Sequence, residues 1–163
     1  MCYFVFLGLP SRDHAEAIQR SGFDVREARN PSLFASFPPN DIVLVVTRGG
    51  CSCGVYWRPP RFDEEAERRK YLSKGWSPGK IQRAILGKRP RPPPKATSFS
   101  KALEDVIRAA GTIRVLAHSF EGDIDAERLQ PCPWIKFSLH DYLAQGGHYP
   151  EDMIVEITRE PRT

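Results

Sequence analysis

Three short apolar runs limit what this chain can become: residues 2–9 (CYFVFLGL), 42–47 (IVLVVT) and 113–118 (IRVLAH). Each is rich in β-branched or aromatic residues and too poor in polar ones to leave a face in water. Each therefore predicts a strand covered on both sides. Strands of that kind need elements packed above and below them. Ala15 and Ile18 follow a capping Ser11 and precede Gly22, which predicts a helix over 11–22. Leu103, Val106 and Ile107 stand at helical spacing before Gly111, which predicts a second helix from Ser98 or Ser100 to Ala110. Residues 23–28 alternate, Phe23 and Val25 against Asp24 and Arg26, as a half-exposed strand does. Residues 30–41 read as a loop anchored by Leu33, Phe34 and Phe37. Short strands are expected at 134–137 and 153–158, with Ser138 capping a helix to Gln145.

Strands and helices alternate without an internal repeat, so the expected fold class is α/β or α+β, a single mixed β-sheet flanked by helices. The 163 residues suit a single domain over 1–163. Residues 62–88 read as a helical hairpin inserted in it. Residues 89–97 (RPRPPPKAT) read as a proline-rich connector, because prolines lack the backbone donor and hold an extended geometry. The longest apolar run, eight residues, falls far short of the roughly 20 a membrane-spanning helix needs. It also lacks the basic flank and cleavage site of a secretory leader. A cytoplasmic protein with no membrane partner is expected, its four cysteines kept as thiols.

From Arg68 to Lys95 the chain carries ten lysines and arginines and no acid, although its net charge is only +4. The remaining 14 basic and 20 acidic residues sum to −6, so the chain is electrically divided. Clustered cations of this kind steer and hold anionic partners. Part of the charge has a local explanation. The predicted helix over 63–73 opens with Asp63, Glu64, Glu65 and Glu67 and closes with Arg68, Arg69, Lys70 and Lys74, as the helix dipole favours. Glu65 and Arg69 also stand at i, i+4 spacing. A second helix begins with Ser77 and Pro78, a cap and first-turn pair, and there Lys80, Arg83 and Lys88 have no such account.

The stretch KGWSPGKIQRAILGK resembles the first two helices of a helix-turn-helix, with a Gly-containing turn and an Ile81–Ile85 spacing that packs the pair. A reader of DNA sequence in that style needs a third, recognition helix, and a proline arm follows Leu86 instead. Any nucleic-acid contact is expected at the backbone, helped by stacking on Tyr71 and Trp76.

Cys51 and Cys53 sit in a Gly-rich turn (GGCSCG) after a buried strand, where many α/β proteins place a nucleophile or phosphate loop. A phosphatase loop needs Arg six residues after its Cys, and Arg58 lies seven after Cys51 and five after Cys53. Cys51, Cys53, Cys132 and His140 are the candidate soft metal ligands, without the paired spacing of a structural zinc site. Cys2 would become terminal if Met1 were removed, but Tyr3 stands where such amidotransferases carry Gly. His118, His140 and His148 with Asp123, Asp125, Asp141 and Asp152 are the candidates for a base and its orienting carboxylate. Glu121, Asp123, Asp125 and Glu127 alternate like a calcium loop without its Gly and final Glu.

No cofactor motif is present, and no cofactor or resident metal is expected. The leading expectation is a non-catalytic bacterial interaction protein, of toxin-neutralising or regulatory type, that docks on an acidic protein surface. Its expected contact residues are Arg68, Arg69, Lys74, Lys80, Arg83, Lys88, Arg89 and Arg91, with Tyr71 and Trp76 as apolar anchors. A nucleic-acid backbone binder and a thiol- or zinc-dependent enzyme centred on GGCSCG are the alternatives.

Overall fold

β1 (Cys2–Leu9) is hydrogen-bonded on both sides, to β3 (Ile42–Thr47) and to β4 (Thr112–Phe120), antiparallel in each case. The computed structural model describes residues 2–159. Around this central trio a single sheet extends in the order β2-β3-β1-β4-β6-β5, where β2 is Asp24–Glu27, β5 Trp134–Ser138 and β6 Ile154–Thr158. Only β5 and β6 pair in parallel, so the sheet is mixed. The helices are α1 (Ala15–Arg20), α2 (Pro31–Phe34), α3 (Glu64–Leu72), α4 (Pro78–Lys88), α5 (Pro94–Ala110) and α6 (Leu139–Ala144). The chain divides into two compact units, Arg58–Pro92 and the remainder, so the insertion is wider than 62–88.

Period-two alternation explains how β1 feeds two cores. Its odd residues Val5, Leu7 and Leu9 join Leu44, Val46, Val115 and Val155 in one cluster, which Ala15 and Ile18 of α1, Phe99, Leu103, Val106 and Ile107 of α5, and Tyr142 of α6 cover. On the other face Phe6 joins Val43, Val45, Leu116, Phe120 and Ile154 beneath Leu33, Phe37 and Leu129.

That second face also buries charge. Gly8, Arg114, Glu156 and Lys136 are register neighbours across β1, β4, β6 and β5. Arg114 reaches Asp41 and Glu156 at 2.8 Å each, and Lys136 closes on Glu156 at 3.0 Å. Burial raises the Glu156 carboxyl, but hydrogen bonds from Arg114 and Lys136 outweigh it and leave the group below its ordinary range. Gly8 makes the room, because a Cβ there would run into the Asp41 carboxylate and the Phe37 ring.

Two elements depart from expectation. Residues 31–34 form α2 inside the expected loop, because the Asn30 side chain caps it and Pro31 takes its first position. α5 begins at Pro94, four residues before Ser98, so the expected 89–97 connector ends inside it. Pro93 is extended at the cap, and the donor Pro94 lacks is one that no helix satisfies in its first turn. The helix expected over 11–22 is a 3-10 turn (Arg12–His14) followed by the shorter α1. No helix among the described residues is long and apolar enough to cross a membrane.

Arg114→Met leaves Asp41 and Glu156 as buried carboxylates without their guanidinium. A loss of about 3–5 kcal/mol is expected in urea unfolding, and a change within experimental error would show that the row contributes nothing.

Candidate functional site

The helical unit over Arg58–Pro92 carries eleven lysines and arginines against four acids. Asp63 caps α3 by accepting from Ala66 N at 2.8 Å. Tyr71, Ile81 and Ile85 are buried between α3 and α4, with Phe62, Trp76 and Ala84 packed against them. Tyr71 stacks on Trp76 at 4.6 Å, Lys80 Nζ lies 4.0 Å from the Trp76 ring centre, and Lys88 Nζ lies 5.3 Å from that of Tyr71. The cation over the indole offsets the penalty of placing Lys80 in the first turn of α4.

Half of the positive charge is answered within the hairpin. Glu64 accepts from Arg89 at 2.5 Å and from Arg68 at 3.2 Å, and Glu67 from Lys88 at 2.7 Å. Lys70 lies 4.0 Å from Glu67, and Arg69 reaches Glu65 at 3.5 Å. The Glu64–Arg89 and Glu67–Lys88 pairs join α3 to the end of α4, so the acids at the start of α3 do more than answer its dipole. The Arg89 hydrogen bond, with that from Arg68, holds Glu64 below its ordinary value of 4.5 against a small effect of burial. Lys88 lowers Glu67 in the same way, and Glu67 and Tyr71 push Lys88 up to about 12.

Among the described residues, Lys74, Lys80, Arg83 and Arg91 have no carboxylate partner, and all four are exposed. The structure thus splits the expected contact set. Arg68, Arg69, Lys88 and Arg89 are paired, whereas Lys74, Lys80, Arg83 and Arg91 carry the free charge. Tyr71 is buried and Trp76 half-buried in the hairpin's own core. Its exposed large apolar side chains are Leu72 (54%) and Leu86 (46%), which the sequence reading passed over. Lys80, Arg83 and Leu86 follow at three-residue steps and share one exposed stripe of α4.

The cysteine loop serves the sheet through Ser52, which is fully buried. Ser52 Oγ accepts from Val5 N at 2.9 Å and donates to Val46 O, and Ser52 N donates to Tyr3 O at 3.0 Å. Gly49, Gly50 and Gly54 supply the positive φ values the turn needs around it. Cys51 is half-buried, Cys53 is exposed, and Cys2 is exposed at the start of β1. Cys132 is half-buried beyond the 121–131 segment and His140 is exposed on α6. No three His, Cys, Asp or Glu among the described residues gather closely enough to hold a metal ion, so these candidates do not form one ligand set.

Of the candidate bases, only His118 meets one of the candidate carboxylates at hydrogen-bond distance: its Nδ1 lies 2.6 Å from Asp152 Oδ1. His140 lies 3.8 Å from Asp141, which is engaged in the Ser138 capping box, and His148 contacts Trp57 O. In the acidic segment Asp125 pairs with Arg26, and Glu127 accepts from the N–H groups of Glu121 and Gly122.

No protein-family model, curated protein or solved structure matches this chain.

The depressed carboxyls Glu64 and Glu67 stabilise the hairpin above their unfolded values, and that contribution disappears as pH falls below 4.5 through their folded ones. Carboxyl resonances of both should titrate below 4.5, with loss of the Tyr71–Trp76 stacking signal following them. In Glu64→Gln/Glu67→Gln that acid dependence should vanish, and its survival would assign it elsewhere.

Proposed function

We propose that this protein acts by binding, its helical hairpin docking on an acidic protein surface in a regulatory or toxin-neutralising role. The observation that carries this reading is the exposed stripe of α4, where Lys80 and Arg83 stand without carboxylate partners beside Leu86. Free cations raise the rate of encounter, and an exposed leucine gives a dehydrating contact once the partner is seated. Lys74, beyond α3, and Arg91, beyond α4, add charge outside the stripe.

The placement of the aromatics favours a protein over a nucleic acid. A single-strand binder needs aromatic faces open to bases, whereas Tyr71 and Trp76 stack on each other with a lysine over each ring. Within residues 58–92 there are two helices, α3 and α4, so the unit has no recognition helix of its own for the major groove.

The test is stopped-flow association of the full chain with a short helical peptide rich in Glu and Leu, beside mixed-sequence RNA as competitor. Lys80→Glu/Arg83→Glu should slow peptide association about tenfold and flatten its salt dependence. Leu86→Ser should chiefly speed dissociation. Unchanged rates in the folded charge variant would overturn the docking face. RNA that outcompetes the peptide at physiological salt would move the reading to nucleic acid.

A further inference from the structure

The sheet unit holds an arrangement that docking does not use. His118, near the end of β4, and Asp152, two residues before β6, meet because those strands are antiparallel and Asp152 N donates to Ala117 O at 2.9 Å. With Nδ1 at 2.6 Å from Asp152 Oδ1, the carboxylate takes the Nδ1 proton as its hydrogen bond and leaves Nε2 an acceptor. Phe120 packs edge-on against the imidazole at 4.6 Å and restrains the ring. Asp152 is held at φ 59°, the one non-glycine residue in the left-handed region among those described. Strain of that kind gathers where a side chain must be aimed.

On the other side of the ring, Glu127 is fixed through Oε2 by two backbone N–H groups, and its Oε1 stands 4.0 Å from Nε2. That gap is too long for a direct hydrogen bond, and one oxygen atom set beside it can bond to both. His118, Glu127 and Asp152 line a cavity of about 420 Å³, within the size range of small-molecule sites. Leu129 and Pro133 give it apolar walls, and Arg128 and Gln130 bring donors to it.

We propose that His118 is the general base of a hydrolytic site for small carboxylic esters, with Asp152 as its positioning residue. His118 Nε2 takes a proton from water as the water oxygen bonds to the ester carbonyl carbon, whose π electrons move to the carbonyl oxygen. Arg128 and Gln130 are the donors available to that oxyanion. Collapse re-forms the carbonyl, breaks the bond to the alkoxy oxygen and returns the proton from Nε2 to it. Ester and water become acid and alcohol, and the imidazole is regenerated. Cys132 lines the same cavity, but burial, and then the charge of Asp152, push its thiol up and keep it protonated, so water is the nucleophile. An ester suits the site because an alkoxide leaves more readily than an amide nitrogen.

The test is steady-state hydrolysis of p-nitrophenyl butyrate by the full chain. Saturable turnover is expected, with kcat lowered about 100-fold in His118→Ala. Asp152→Asn should lower kcat roughly tenfold or more with KM unchanged, since Asn accepts the left-handed backbone as readily as Asp. His140→Ala, which removes an exposed imidazole on α6, should leave the rate as it was. Equal turnover in His118→Ala, no saturable turnover, or an acyl group on Cys132 by mass spectrometry would overturn the proposal. Should His118→Ala fail to fold, Asp152→Asn decides: its side chain is 61% exposed, and an unchanged kcat there overturns the proposal equally.

Discussion

Burial of β1 on both faces is the constraint on which the sheet unit rests. Because successive side chains of a strand point to opposite sides, Val5, Leu7 and Leu9 require one cover and Phe6 another. α1 and α5 supply the first, and the segments around Leu33, Phe37 and Leu129 supply the second. The same alternation places Gly8 over Asp41 and brings Arg114 between two carboxylates. A register slip of one residue would turn Arg114 and Glu156 into the α5 face and expose the apolar set.

Much of this frame was legible in the sequence, for reasons tied to particular residues. Runs 2–9 and 42–47 carry the strand signal in every position, and Leu103, Val106 and Ile107 give α5 its buried face. The prolines misled where their position relative to a helix start decided their meaning. Pro31 and Pro94 both occupy first positions, where the missing N–H costs nothing, while a composition reading takes them for loop and connector.

The candidate sites were less legible because their defining contacts are long-range. Glu64 and Arg89 are 25 residues apart, and no local spacing shows that the acids of α3 answer the end of α4. His118 and Asp152 are 34 apart, and the residue types alone left them among several equivalent choices. Ser52 was hidden by the cysteines on either side of it. Leu72 and Leu86 passed as ordinary helix residues until the burial of Tyr71 and Trp76 left them as the hairpin's outward apolar side chains. Cation count therefore overstated the free charge of the hairpin, and aromatic count misplaced its apolar contact.

The central claim is that the charge available to a partner is concentrated at Lys74, Lys80 and Arg83, away from the paired set. Near-surface potentials, read residue by residue from amide relaxation by positively charged, negatively charged and neutral paramagnetic cosolutes, test it without any partner present. The expected result is a strongly positive potential at the amides of 74–83 and a much weaker one at 64–70. A potential as positive over 64–70 as over 74–83 would contradict the account.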